Sequence, residues 1–142
     1  MTPSRSDLAA TLLRLVLGVV LLAHGLLKVF VFTLPGTAGF FASVGFPGWA
    51  AYPVTAFEVL GGLALILGLR SSVVAAAAVP VLIGALSVHL GNGWVFSAKG
   101  GGWEYPLVLV MLSAAVALLG DGAYALGRAR RPASIRSVGA AA

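Results

Sequence analysis

The sequence predicts an all-α fold, a four-transmembrane-helix bundle, and three observations carry that prediction. Hydrophobic residues fill 60% of the 142 positions and charged residues only 9%, a balance that would leave a soluble domain with large exposed apolar patches. Mean hydropathy is +1.05, so lipid has to solvate much of the surface. The apolar residues also gather into separate segments, each near the ~20 residues that a helix needs to cross a hydrocarbon core.

The first span runs from Leu8 to Phe32, behind an N-terminal tail of residues 1–7. Leu8 to Val20 resembles the core of a signal peptide, but the apolar run continues, contains Arg14 and lacks a small-residue cleavage site. It is therefore read as a retained span. Thr33 to Tyr52 follows, uncharged and broken by Pro35, Gly36, Gly39, Gly45, Pro47 and Gly48. Its Phe40, Phe41, Phe46, Trp49 and Tyr52 suit the membrane interface. Two readings stay open there: a partly embedded segment or short helix, and an ordinary aromatic-rich loop.

The second span, Pro53 to Leu69, and the third, Val73 to Leu90, are separated only by Arg70, Ser71 and Ser72, which demands a tight helical hairpin. Gly91 to Trp103 holds Asn92, Lys99 and the run Gly100-Gly101-Gly102, the composition of a flexible, turn-rich loop. Trp94 and Trp103 bracket it and are expected at one membrane surface. The fourth span is placed at Tyr105 to Leu126. Residues 8–127 thus make up the transmembrane domain, and residues 128–142 a basic tail expected to be disordered. Two hairpins of similar length are compatible with a distant duplication, although no internal repeat is evident.

Arg5, Arg70, Arg128, Arg130, Arg131 and Arg136 fall on one side of this arrangement, and Lys99 alone on the other. Short loops rich in arginine stay in the cytoplasm, so both termini are expected there, in a multi-pass plasma-membrane protein. The net charge of +5 does not imply a nucleic-acid partner, because the basic residues sit at segment ends and form no folded basic face. Cysteine is absent, which excludes disulfides, covalently attached c-type haem and cysteine-ligated clusters or zinc. No metal site is expected.

Charged side chains inside a membrane helix cost roughly 3 kcal/mol at its centre and call for a partner, an escape route or a function. His24, Lys28, Glu58, His89 and Glu104 form the candidate ligand-binding or proton-handling set. At a rise of about 1.5 Å per residue, Lys28 lies about 31 Å along its helix from Asp7, with His24 about 6 Å below it. Glu58 descends about 8 Å from Pro53, His89 closes the third span, and Glu104 opens the fourth. All five converge on the outer half. His24 and Lys28 share a face, and Gly61 and Gly62 beneath Glu58 let the second helix approach the first. A Lys28–Glu58 pair is the preferred arrangement. Arg14, only about 11 Å from Asp7, is expected to snorkel to cytoplasmic lipid headgroups; a helix-bundle contact or an anionic-lipid site is its alternative. A plainer account of the cluster is structural: Lys28 and Glu58 neutralise each other, His24 and His89 donate to backbone carbonyls, and nothing binds.

The order of motifs resembles a known family. Arg14-Leu15 to Gly18 comes first, then His24-Gly25 with Lys28 and Phe30. Glu58-Val59-Leu60-Gly61-Gly62 with Gly68 follows, then His89-Leu90-Gly91-Asn92-Gly93 and Gly102-Trp103-Glu104-Tyr105-Pro106. Over Leu8 to Gly122 this is similar to the DoxX family of small four-helix membrane proteins. The resemblance implies a subunit or partner of a quinone-linked oxidoreductase, in terminal quinol oxidase, thiosulfate:quinone oxidoreductase or oxidative-stress systems. It supplies no catalytic residue set.

The leading expectation is accordingly a quinone-linked redox subunit, with His24, Lys28, Glu58 and His89 offering hydrogen bonds and proton transfer to a quinone headgroup. Trp103 or Phe57 would line the slot or serve as packing. Its partners are the lipid bilayer and a peripheral or membrane redox enzyme; a homo-oligomer is compatible with the sequence. The rivals are a non-enzymatic scaffold or assembly subunit and, behind it, a small-solute or proton transporter. Haem ligation by His24 and His89 meets only the minimum requirement of two histidines on separate helices and is not expected.

Overall fold

The computed structural model describes residues 2–129, all of whose regular structure is helical. Six α-helices follow in order: α1 (Arg5–Phe30), α2 (Leu34–Ser43), α3 (Ala51–Leu67), α4 (Ser71–His89), α5 (Glu104–Leu119) and α6 (Leu126–Ala129). Single 3₁₀ turns, Gly48–Ala50 and Leu90–Asn92, precede α3 and follow α4. The basic tail expected over residues 128–142 lies outside the described residues, apart from the backbone of its first two.

Each boundary has a local cause. Ser4 caps α1: its Oγ accepts from Asp7 N at 3.1 Å, and the Asp7 carboxylate accepts from Ser4 N at 3.2 Å, which satisfies two orphan donors. Thr33 caps α2 by accepting from Gly36 N at 3.2 Å, with Pro35 in the first turn. The short-helix reading of this connection is thereby the observed one. Gly68 ends α3 in the left-handed conformation at φ 70°, the usual glycine stop. Gly120, at φ 82°, ends α5.

That last stop corrects the expected fourth span. The helix ends at Leu119 and not near Leu126, because Gly120-Asp121-Gly122 turns the chain back across the bundle end. Three helical stretches are long and apolar enough to cross a membrane, Arg5–Phe30, Gly48–Leu67 and Ser71–Asn92; Glu104–Leu119 is shorter, at 16 residues, or about 24 Å.

The four long helices run alternately up and down. Packing is uneven: α1 lies chiefly on α3, and α4 chiefly on α5. Glycine explains the first pairing. A Cβ on Gly62 would come 2.6 Å from Leu22 N and 2.8 Å from Gly18 O, so the two backbones are in direct contact. Such close approach maximises dispersion contacts, which hold helices together where lipid is as apolar as the side chains. Gly61 instead faces Val74 of α4. The second pairing carries a buried hydrogen bond, from Ser113 Oγ to Ala75 O at 2.8 Å. Leu17, Leu21, Leu65, Ala75, Ala78, Leu82, Leu109 and Val116 fill the core between the pairs, while Leu12, Leu60, Val73, Met111 and Leu118 face outward.

Candidate functional site

The far end of the bundle, where α1 finishes and α3 begins, holds an ion pair between helices. Lys28 Nζ stands 2.5 Å from both carboxylate oxygens of Glu58. Glu58 is buried and Lys28 nearly so, with 8% and 19% of their side chains exposed. The pair exists because Gly25, one turn before Lys28, has no side chain: a Cβ there would meet Val59 Cγ2 at 2.7 Å and Glu58 Cβ at 3.1 Å. Two opposite charges held this closely satisfy each other's desolvation at depth.

His24 lies one turn before Lys28 on the same helix and is exposed. Its Nδ1 is 2.8 Å from Val20 O. A carbonyl only accepts, so Nδ1 carries the proton, and in the neutral ring Nε2 is left as an acceptor. The imidazole also faces the Tyr105 ring, with centroids 6.4 Å apart and planes inclined by 25°. Tyr105 thereby brings the start of α5 to this edge.

His89 and Glu104 have a different employment. His89 Nδ1 donates to Gly101 O at 2.9 Å, alongside Gly100 O at 3.1 Å, and Glu104 Oε1 accepts from Phe96 N at 2.8 Å. Asn92 adds donations to the same two glycine carbonyls at 3.0 Å each. Trp103 N bonds Gly93 O, Glu104 N bonds Trp94 O, and the two indoles meet edge to face at 4.4 Å. The loop from Gly91 to Trp103 is thus turn-rich and tied across its neck. Of the five candidate residues, the structure joins Lys28 to Glu58, sets His24 one turn away, and commits His89 and Glu104 to this loop.

Arg14 corrects the expectation of a headgroup contact. Its side chain is 1% exposed and lies at the near end of the bundle, where α3 and α5 finish. Nη1 donates to Leu65 O, which also accepts from Gly68 N, and to Ile66 O, both in the last turn of α3, where carbonyls lack the usual intrahelical donor. Asp121 lies within electrostatic reach and accepts from Ser71 N at 2.8 Å. Thr11 Oγ1 donates to Ala123 O at 2.9 Å, Ala123 N bonds Asp7 O, and Gly127 N bonds Gly68 O. The helix-bundle alternative for Arg14 is the observed one.

Sequence reasoning missed Tyr105 and Asp121. Tyr105 stood in the Gly102-to-Pro106 motif without a stated role. Asp121 sits between two glycines beyond an apolar run, a turn signature that could have separated it from the fourth span.

The family profile described as DoxX matches residues 9–91. The chain is 32% identical over 121 residues to a Bacillus subtilis (strain 168) protein named "Putative oxidoreductase CatD", covering 84% of this chain and 85% of that one. No solved structure matches.

Proposed function

The chain belongs to the DoxX family of helical membrane proteins, and from that premise we propose that it is a quinone-linked redox subunit of the plasma membrane. In this reading all four long helices span the bilayer and both termini are cytoplasmic. Arg5 and Arg70 then lie inside and Lys99 outside, as the distribution of positive charge favours. The short α5 fits by local thinning of the bilayer, at a modest cost.

One observation carries the proposal: a buried Lys28–Glu58 pair sits one helical turn from an exposed imidazole whose Nδ1 is already bonded to backbone. A quinone headgroup needs an apolar approach from lipid and hydrogen-bonding groups for its ring oxygens. These residues fit that need. Lys28 has three N–H donors, of which Glu58 takes two; the third would donate to a ring oxygen. His24 would accept from a ring hydroxyl, and Glu58 would hold a proton in exchange with Lys28. A bound quinone supplies two-electron chemistry coupled to protons, and the similarity to a protein named as an oxidoreductase accords with it.

Organic extraction of the purified protein tests the reading: stoichiometric quinone is expected. A sample that yields none and takes up no added quinone rejects it. Glu58→Gln sharpens the result: the destabilised protein is expected still to accumulate and assemble while redox activity of the complex is lost. A second reading, an assembly subunit without redox chemistry, is favoured by the commitment of His89 and Glu104 to loop backbone. It predicts that Glu58→Gln protein fails to accumulate.

A further inference from the structure

We propose that the His24–Tyr105 edge selects the reduced, hydroxyl-bearing form of a quinone ring over the oxidised form. The inference rests on the function proposed above and concerns the same site.

An exposed imidazole on an apolar helix is expensive to desolvate, but half of that cost is removed here. Nδ1–H is satisfied by the Val20 carbonyl one turn back, so Nε2 is the remaining polar atom of an exposed ring. In the neutral ring that atom has a lone pair and no proton. Any ligand that completes it must therefore bring a donor. A quinone's carbonyl oxygens are acceptors only, whereas each oxygen of the hydroquinone carries a hydroxyl that donates and accepts. The chemistry of His24 discriminates between the two redox states of one ring.

Position supports the assignment. The near-parallel Tyr105 ring, with its centroid 6.4 Å from that of His24, gives a flat ligand an aromatic neighbour beside its hydrogen-bond acceptor. Tyr105 is itself 43% exposed, so its ring is open to ligand contact. The backbone beneath His24 is fixed, because Gly25 is pressed against Val59 and Glu58. The imidazole thus projects from a rigid part of the bundle, one turn from Lys28. A hydroxyl–imidazole bond formed in apolar surroundings contributes roughly what one net hydrogen bond does.

The test measures partition of a decyl-substituted para-benzoquinone and of its hydroquinone into nanodiscs containing the protein, against empty nanodiscs, anaerobically in mildly alkaline buffer. The hydroquinone is expected to bind roughly five- to tenfold more tightly, the factor that one net hydrogen bond supplies. His24→Phe should bring the ratio to near unity, and Tyr105→Ala should weaken both forms alike. Helical circular dichroism and a monodisperse elution profile establish that each variant is folded. Equal affinity of the two forms in the unaltered protein, or a preference that survives His24→Phe, overturns the inference and leaves the quinone reading standing. Binding of neither form removes both.

Discussion

The two ends of this bundle use polar side chains in opposite ways. At the near end Arg14 and Thr11 are directed at backbone carbonyls of other segments, and Asp121 at a backbone N–H. At the far end Lys28 and Glu58 are directed at each other, and His24 leaves its second ring nitrogen open. The difference bears on replaceability. A side chain bonded to another side chain can be exchanged together with its partner, whereas one bonded to backbone has no partner that a second substitution can remove. The near end is built as a lock on backbone groups, although Arg14 Nε and Ser71 Oγ are buried there without a hydrogen-bond partner, whereas the far end leaves its open valence on an exposed ring.

The largest expected effect breaks the lock. Arg14→Ala leaves the Leu65 and Ile66 carbonyls and the Asp121 carboxylate without their cation, and should destabilise the protein by about 3 kcal/mol or more, measured as unfolding in mixed micelles. Retention of the original stability would mean that this end does not hold the helices together. Next comes Glu58→Gln, which strands a mostly buried ammonium and should cost about 2 kcal/mol. The double variant Lys28→Met/Glu58→Leu should recover most of that loss, since a buried pair exchanged for apolar residues of similar size is often neutral. Recovery of stability with loss of quinone binding is the combination that separates the far end from the near one.

Gly68→Ala should rank third, at about 1–2 kcal/mol, because φ is 70° there and the new Cβ would sit 2.5 Å from Ala125 Cβ. The thermal transition in detergent reads this change. Smallest is His89→Ala, which removes one tie from an exposed loop. It should leave global stability within about 0.5 kcal/mol while hydrogen exchange accelerates at Gly100 and Gly101. Unchanged exchange at those glycines would remove His89 from its assigned role in ordering the loop.

Much of this architecture is legible in residue order. The helices follow from apolar runs bounded by Pro, Gly and Ser, and the Lys28–Glu58 pair from two charges that membrane depth forbids to remain single. Gly62 signals the close approach beside that pair, although Gly61 turns out to face α4. What the sequence conceals is contact across long separations. Nothing near Arg14 announces that carbonyls 51 and 52 residues later will take its guanidinium; local reasoning supplies only an escape to headgroups. The misplaced end of the fourth span differs, since Ala123 and Leu126 are apolar enough to prolong a helix but the local signature Gly120-Asp121-Gly122 opposes it. Depth along each helix puts His89 and Glu104 on the level of Glu58, but it does not reveal the loop backbone to which both side chains bond.

The reach of Arg14 also sets a schedule for biogenesis. Its acceptors lie 51 and 52 residues further along the chain, so α1 by itself offers the guanidinium only an escape to headgroups. Arg14 reaches its final depth only when the glycine faces of α1 and α3 meet. Chains cut short before residue 66 lack those acceptors and are expected to be preferred substrates for membrane quality-control proteases, measured as their turnover against that of the full chain.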